Sequence, residues 1–155
     1  MSLVSCLLLT SGCPVIKTVE IQDILRLSVK QIAELHRMME QRTHDDISRE
    51  RRQAPRAPFR LSVRLGVLLE NEIKGRRTYA LAPRNISRTG LSLLHGKFVY
   101  GGTNCVVGLP ALDGQVIPAR GRVIWCRLIA GRVHELGIRF DEPIDVGEFV
   151  AQSPS

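Results

Sequence analysis

The sequence predicts a mainly β fold, a six-stranded antiparallel β-barrel or sandwich preceded by one N-terminal α-helix. Three observations carry this expectation. Apolar residues recur at steps of three and four over residues 19–42 but alternate from Phe59 to Leu69, with Leu68 the one exception. Five further apolar runs follow at short intervals, divided by turns rich in Asn, Asp and Gly. The gaps between them leave no room for the crossover helices of a parallel sheet.

Taken in order, residues 1–18 form a lead-in. Its apolar stretch, MSLVSCLLLTSGCPVI, lacks the basic flank of a signal peptide, the first Lys being Lys17, so a poorly ordered segment is expected. Residues 19–42 read as a helix whose stripe is Ile21, Leu25, Ile32, Leu35 and Met39, with Ser28 filling one step and Ile24 and Met38 widening it. Thr18 suits its N-cap, and Glu20 and Asp23 suit the positive end of its dipole. The stripe has two uses, packing against the neighbouring domain or self-association into a homodimer. Residues 43–57 are polar and aperiodic, a linker. Residues 58–145 are the barrel. Phe59, Leu61, Val63, Leu65, Val67 and Leu69 place one strand, and Thr78–Ala82, Gly90–Leu94, Asn104–Leu109, Val116–Leu128 and Val133–Phe140 place five more. Residues 146–155 are a C-terminal tail, with one helical turn near Val146–Val150.

Length and composition narrow the function. A chain of 155 residues holds one domain with an extension, and no run of 18 apolar residues exists to insert in a membrane. A cytoplasmic protein is expected. Residues 1–50 carry six Lys and Arg against seven Asp and Glu, whereas residues 51–155 carry sixteen against eight. Arg outnumbers Lys 18 to 4. Guanidinium offers a planar fork for phosphate and a flat face for stacking, so a phosphate-bearing partner with nucleobases is indicated. Cys6, Cys13, Cys105 and Cys126 form no C-x-x-C pair and the four histidines are scattered, so neither a metal nor another cofactor is expected. No nucleophile–base pair or phosphate loop appears, which argues against an enzyme. At 5% aromatic content, stacking platforms are too scarce for a general DNA- or RNA-binding barrel.

Two short segments concentrate the chemistry. Arg52-x-x-x-Arg56, with Arg51 directly before it, stands at the linker–barrel junction, where Pro55 and Pro58 disfavour helix. Asn85-x-Ser87-x-x-Gly90 lies between two strands and offers an amide, a hydroxyl and a glycine that admits close approach. Alone, the second segment also reads as a simple turn.

The pair in this order, with the late runs Gly121-Arg-Val-Ile-Trp-Cys126 and Glu135-Leu-Gly-Ile-Arg-Phe140, resembles the PilZ domain family over roughly residues 50–145. That resemblance implies a six-stranded antiparallel barrel that binds the bacterial second messenger cyclic di-GMP and acts as a receptor, in motility or biofilm regulation. It implies Arg52 and Arg56 on phosphate and guanine, Asn85 and Ser87 hydrogen-bonding from the barrel wall, and Gly90 permitting close contact. In PilZ-like proteins a basic residue at the place of Arg51 goes with uptake of two stacked ligands. Trp125 is expected to pack in the core, with walling the site as the alternative. A protein effector is the expected partner. The alternatives are a PilZ-like interaction module that binds no nucleotide and, further off, a general nucleic-acid-binding barrel.

Overall fold

The computed structural model describes residues 21–43, 57–59, 64–71 and 75–151. The strands are β1 (Ile21–Gln22), β2 (Ala57–Pro58), β3 (Leu65–Asn71), β4 (Gly75–Ile86), β5 (Gly90–His95), β6 (Asn104–Pro110), β7 (Val116–Ala130) and β8 (Val133–Phe140), with one helix, α1 (Val29–Thr43). Six strands, β4-β3-β6-β7-β8-β5, close on themselves because β4 also bonds β5, and every pair among them is antiparallel. Closure leaves no open sheet edge. The five apolar runs all became strands, with β4 and β7 longer than their runs.

The two remaining strands are short additions to β4. Ile21 and Gln22 run parallel to Thr78 and Tyr79, and Ala57 and Pro58 lie antiparallel to Ile86 and Asn85. Alternation fills the interior: Leu65, Val67, Leu81, Leu91, Leu93, Val107, Leu109, Val123, Leu136 and Ile138 meet there, each at most 4% exposed. His95 is buried with them, its ring 5.0 Å from that of Tyr79. Burial pushes the His95 imidazole down to about 4, with Lys97 and His134 adding to the shift, and pushes the Cys105 thiol up to about 12.

The helix starts later than its periodicity suggested. Residues 21–28 are not helical; the helix begins at Val29, and Ser28 is its cap rather than a step in its stripe. Ser28 Oγ accepts from Gln31 N at 3.2 Å, and Gln31 Oε1 accepts from Ser28 N at 2.9 Å, a reciprocal capping box. This satisfies two amide donors and sets the helix start. Arg64 holds the preceding segment by donating to the Asp23 carboxylate and the Leu27 carbonyl. The apolar stripe then docks on the outside of the barrel, where Leu25, Met39, Ile32 and Leu35 pack with Ala82, Leu94 and Val133.

The tail is also more engaged than expected. Asp145 Oδ1 accepts from Gly147 N at 3.0 Å and opens a 3-10 turn over Val146–Glu148. Phe149 beyond it is buried in the core, 5% exposed. Apolar spacing over Val146, Phe149 and Val150 makes this segment a plug for the barrel end.

Candidate functional site

Strand register builds the site on the outer wall of the barrel. Pro58 faces Asn85, Asn85 faces Ser92, Ser92 faces Gly137, and Gly137 faces Trp125, so five residues on five strands form one continuous row. Ser92 sits between the inward Leu91 and Leu93, so this row points outward. Asn85 N donates to Ser92 Oγ at 3.2 Å.

Two β-bulges make the row. The register shifts between Pro83 and Asn85 on β4 and between Val123 and Trp125 on β7. Strict alternation from the inward-facing Ile86 and Val123 would leave Asn85 outward but send Trp125 inward. The extra residue Ile124 reverses the second outcome, so Trp125 is half-buried on the outer wall and not in the core. The extra residue on β4 is Arg84, whose side chain turns outward beside Asn85.

Trp125 rests on Gly137. A Cβ at Gly137 would lie 2.2 Å from both Nε1 and Cε2 of the indole, so any larger residue there would displace the ring. Over the indole stands the guanidinium of Arg127, its Cζ 5.4 Å from the ring centroid. Arg127 is anchored in turn. Its Nε and Nη2 donate to Glu135 Oε2 at 2.9 and 2.6 Å, while Arg84 Nη1 donates to Glu135 Oε1 at 2.5 Å. The Glu135 side chain is 1% exposed, that of Arg84 7% and that of Arg127 52%. Two guanidinium charges around one buried carboxylate leave the cluster net positive.

The turn from β4 to β5 closes the other border. Ser87 Oγ accepts from Gly90 N at 3.1 Å and Thr89 N at 3.3 Å, and Ser87 N donates to Gly90 O at 2.8 Å. Gly90 faces Arg139, and Arg139 faces Arg122; both arginines are exposed. A positive strip therefore flanks the turn.

Of the residues singled out in the sequence, Asn85, Ser87 and Gly90 are brought together on this wall. Arg51, Arg52 and Arg56 lie outside the described residues, although Arg56 is bonded directly to Ala57 of β2. Arg127, Glu135, Arg84, Arg122 and Arg139 were not singled out. Glu135 carried the one usable signal, a lone carboxylate amid the apolar run Val133–Phe140. Among the described residues no cluster of His, Cys, Asp and Glu is arranged to hold a metal ion, and no helix is long and apolar enough to cross a membrane.

No curated protein matches the chain. Among solved structures it is similar to one described as the PilZ domain with c-di-GMP of YcgR from Escherichia coli, at 17% identity and a TM-score of 0.45, over 59% of this chain and 78% of that one. It is also similar to the Bacillus subtilis inhibitor of motility (MotI/DgrA), at 17% identity and a TM-score of 0.43. That match covers 63% of this chain but 46% of the Bacillus chain, so less than half of the latter's length is represented. A family model of the PilZ domain matches residues 50–152, taking in the Arg-x-x-x-Arg segment, the whole closed barrel and the plug that ends it. With two thirds of its length so matched and the six-stranded barrel built accordingly, the chain belongs to the PilZ domain family.

Proposed function

We infer that the protein is a receptor for cyclic di-GMP, a binding module without catalytic activity and without a metal or other cofactor. Membership of the PilZ family supports this reading. The observation that carries it is the pairing of Ala57 and Pro58 with Ile86 and Asn85, which sets Ala57, the residue bonded to Arg56, on the strand that bears Asn85. Arg51, Arg52 and Arg56 grip the two phosphates and the guanine Hoogsteen edges. Asn85 and Ser87 supply hydrogen bonds from the wall, and Trp125 supplies an aromatic surface beside them.

The signal passes to a protein effector through the N-terminal helix. Ala82 and Leu94, which lie under α1, are on the same wall as the site, one outward position along β4 and β5 from Asn85 and Ser92. Clamping the linker against the wall changes the orientation that α1 adopts and the exposure of its apolar stripe. Self-association through that stripe requires the helix to leave the barrel first. On this reading the protein works in the bacterial cytoplasm, in the control of motility or biofilm formation.

Isothermal titration tests the reading. Cyclic di-GMP is expected to bind, with GTP and a DNA oligomer binding far more weakly. Equal affinity for the DNA oligomer would make it a general nucleic-acid binder, and no binding of any of the three would make it an interaction module. Hydrogen exchange tests the clamp: residues 45–58 should gain protection with ligand, and the helix should change. Unaltered exchange over 45–58 would leave a passive wall site instead.

A further inference from the structure

We propose that Arg127 is a further ligand-contacting residue of this site, held flat by Glu135 so that it presents its guanidinium plane to a purine base. This rests on the function proposed above and names a contact outside both signature segments. The geometry is a layered stack. Gly137 contributes bare backbone, the Trp125 indole covers it, and the Arg127 guanidinium covers the indole with Cζ 5.4 Å from the ring. Gly137 thus takes up one part of the indole surface and Arg127 another. The surface the stack offers outward is the guanidinium, and the Arg127 side chain is 52% exposed.

A guanidinium is planar and weakly hydrated on its faces, so it stacks on purines as well as on indole. Its usual cost as a stacking surface is the freedom of a long side chain. Here that freedom is already removed. Two nitrogens of Arg127 donate to one oxygen of Glu135, and Arg84 holds the other oxygen. Glu135 is buried, its side chain 1% exposed, and both of its oxygens accept from guanidinium groups. It is a positioning residue, acting on the ligand through Arg127. The positive charge of the stack also favours a phosphate-bearing guanine nucleotide over a neutral base.

The test is titration of the full chain with cyclic di-GMP, read by heat and by emission from Trp125, the only tryptophan in the sequence. Arg127→Leu should weaken binding about ten- to a hundredfold. Arg127→Lys, which keeps the charge and loses the plane, should recover less than half of that loss on a logarithmic scale. Glu135→Gln should leave binding detectable, weaken it severalfold, and raise acrylamide quenching of Trp125 in the free protein as Arg127 loosens. Lys at full affinity would show that charge alone suffices and would overturn the stacking role. Wild-type binding with Arg127→Leu within twofold would overturn the proposal while leaving the receptor reading intact. Failure of the unaltered protein to bind would remove the receptor reading, and the proposal with it.

Discussion

Gly90 stands so close to β8 that a Cβ on it would lie 2.4 Å from the carbonyl oxygen of Ile138. The neighbour is backbone inside a paired strand, so it cannot swing aside. Gly90→Ala should therefore force β5 and β8 apart at the start of their pairing. A loss of about 1–3 kcal/mol in urea unfolding is expected, with the slope unchanged. In the family signature this glycine reads as room for the ligand; here its first duty is strand approach. A fully stable Gly90→Ala protein would contradict that.

The linker arginines should matter for the ligand and not for the fold. Arg52→Ala and Arg56→Ala are each expected to reduce cyclic di-GMP affinity about ten- to a hundredfold, the value of one charge-assisted pair. Thermal unfolding of both should match the unaltered protein. Ser87→Ala should weaken binding less, but it also removes the acceptor for Thr89 N and Gly90 N, so its melting temperature should fall.

Arg51 is expected to set the count of ligands. Two stacked molecules bring four phosphate charges, and a third guanidinium helps offset them. Titration should give two cyclic di-GMP per protomer, falling toward one in Arg51→Leu. A ratio of one in the unaltered protein would refute this.

His95 makes the fold sensitive to acid. Its imidazole is pushed down to about 4, whereas in the unfolded chain it titrates near the ordinary value of 6.5. Between those two values the unfolded chain binds a proton that the folded protein refuses. Stability is therefore complete above about pH 6.5 and declines as the pH falls toward 4, by up to about 3 kcal/mol. His95→Leu should flatten that stretch of the stability–pH curve. An unchanged slope would show that carboxylates alone govern acid unfolding.

Glu135 and Arg84 should behave as a pair. Glu135→Ala leaves the Arg84 guanidinium buried without its counter-charge, an expected loss of about 3–5 kcal/mol. Pairing Glu135→Leu with Arg84→Met removes both charges and should recover most of that loss. If the double variant is as unstable as the single one, packing and not charge accounts for the effect.

The strands were legible because their evidence is local: alternation from Phe59 to Leu69 marks the first, apolar runs mark the others, and Asn71–Gly75, Asp113-Gly114 and Ala130-Gly131 mark three hairpin turns. Residues 21–28 misled because Ile21 and Leu25 keep the helical step while lying in a strand and a loop. The deciding feature was Ser28 with Gln31, a capping box written inside the apparent stripe. Trp125 misled for a related reason. One added residue, Ile124, reverses which face the side chains after it occupy until the next register shift, between Leu128 and Ala130, and a bulge leaves no mark in a hydrophobic pattern. The charge cluster was invisible because Arg84, Arg127 and Glu135 come from three strands and meet only when the barrel closes.

The two-residue strand β2 has a kinetic consequence. Its hydrogen-bonded place on β4 tethers the chain before it, at no more than about 3.6 Å per residue. Arg56 is one residue from that tether and Arg52 five, so the Cα of Arg52 can stray at most about 18 Å from that of Ala57. On the receptor reading, a ligand that touches the wall would meet both guanidiniums as intramolecular groups, at an effective concentration in the millimolar range or above. Capture would then be a two-stage event, a weak wall contact followed by rapid ring closure. The dwell time of the messenger would be set by how often that ring reopens, so lengthening the segment between Arg56 and Ala57 should speed release more than it slows arrival.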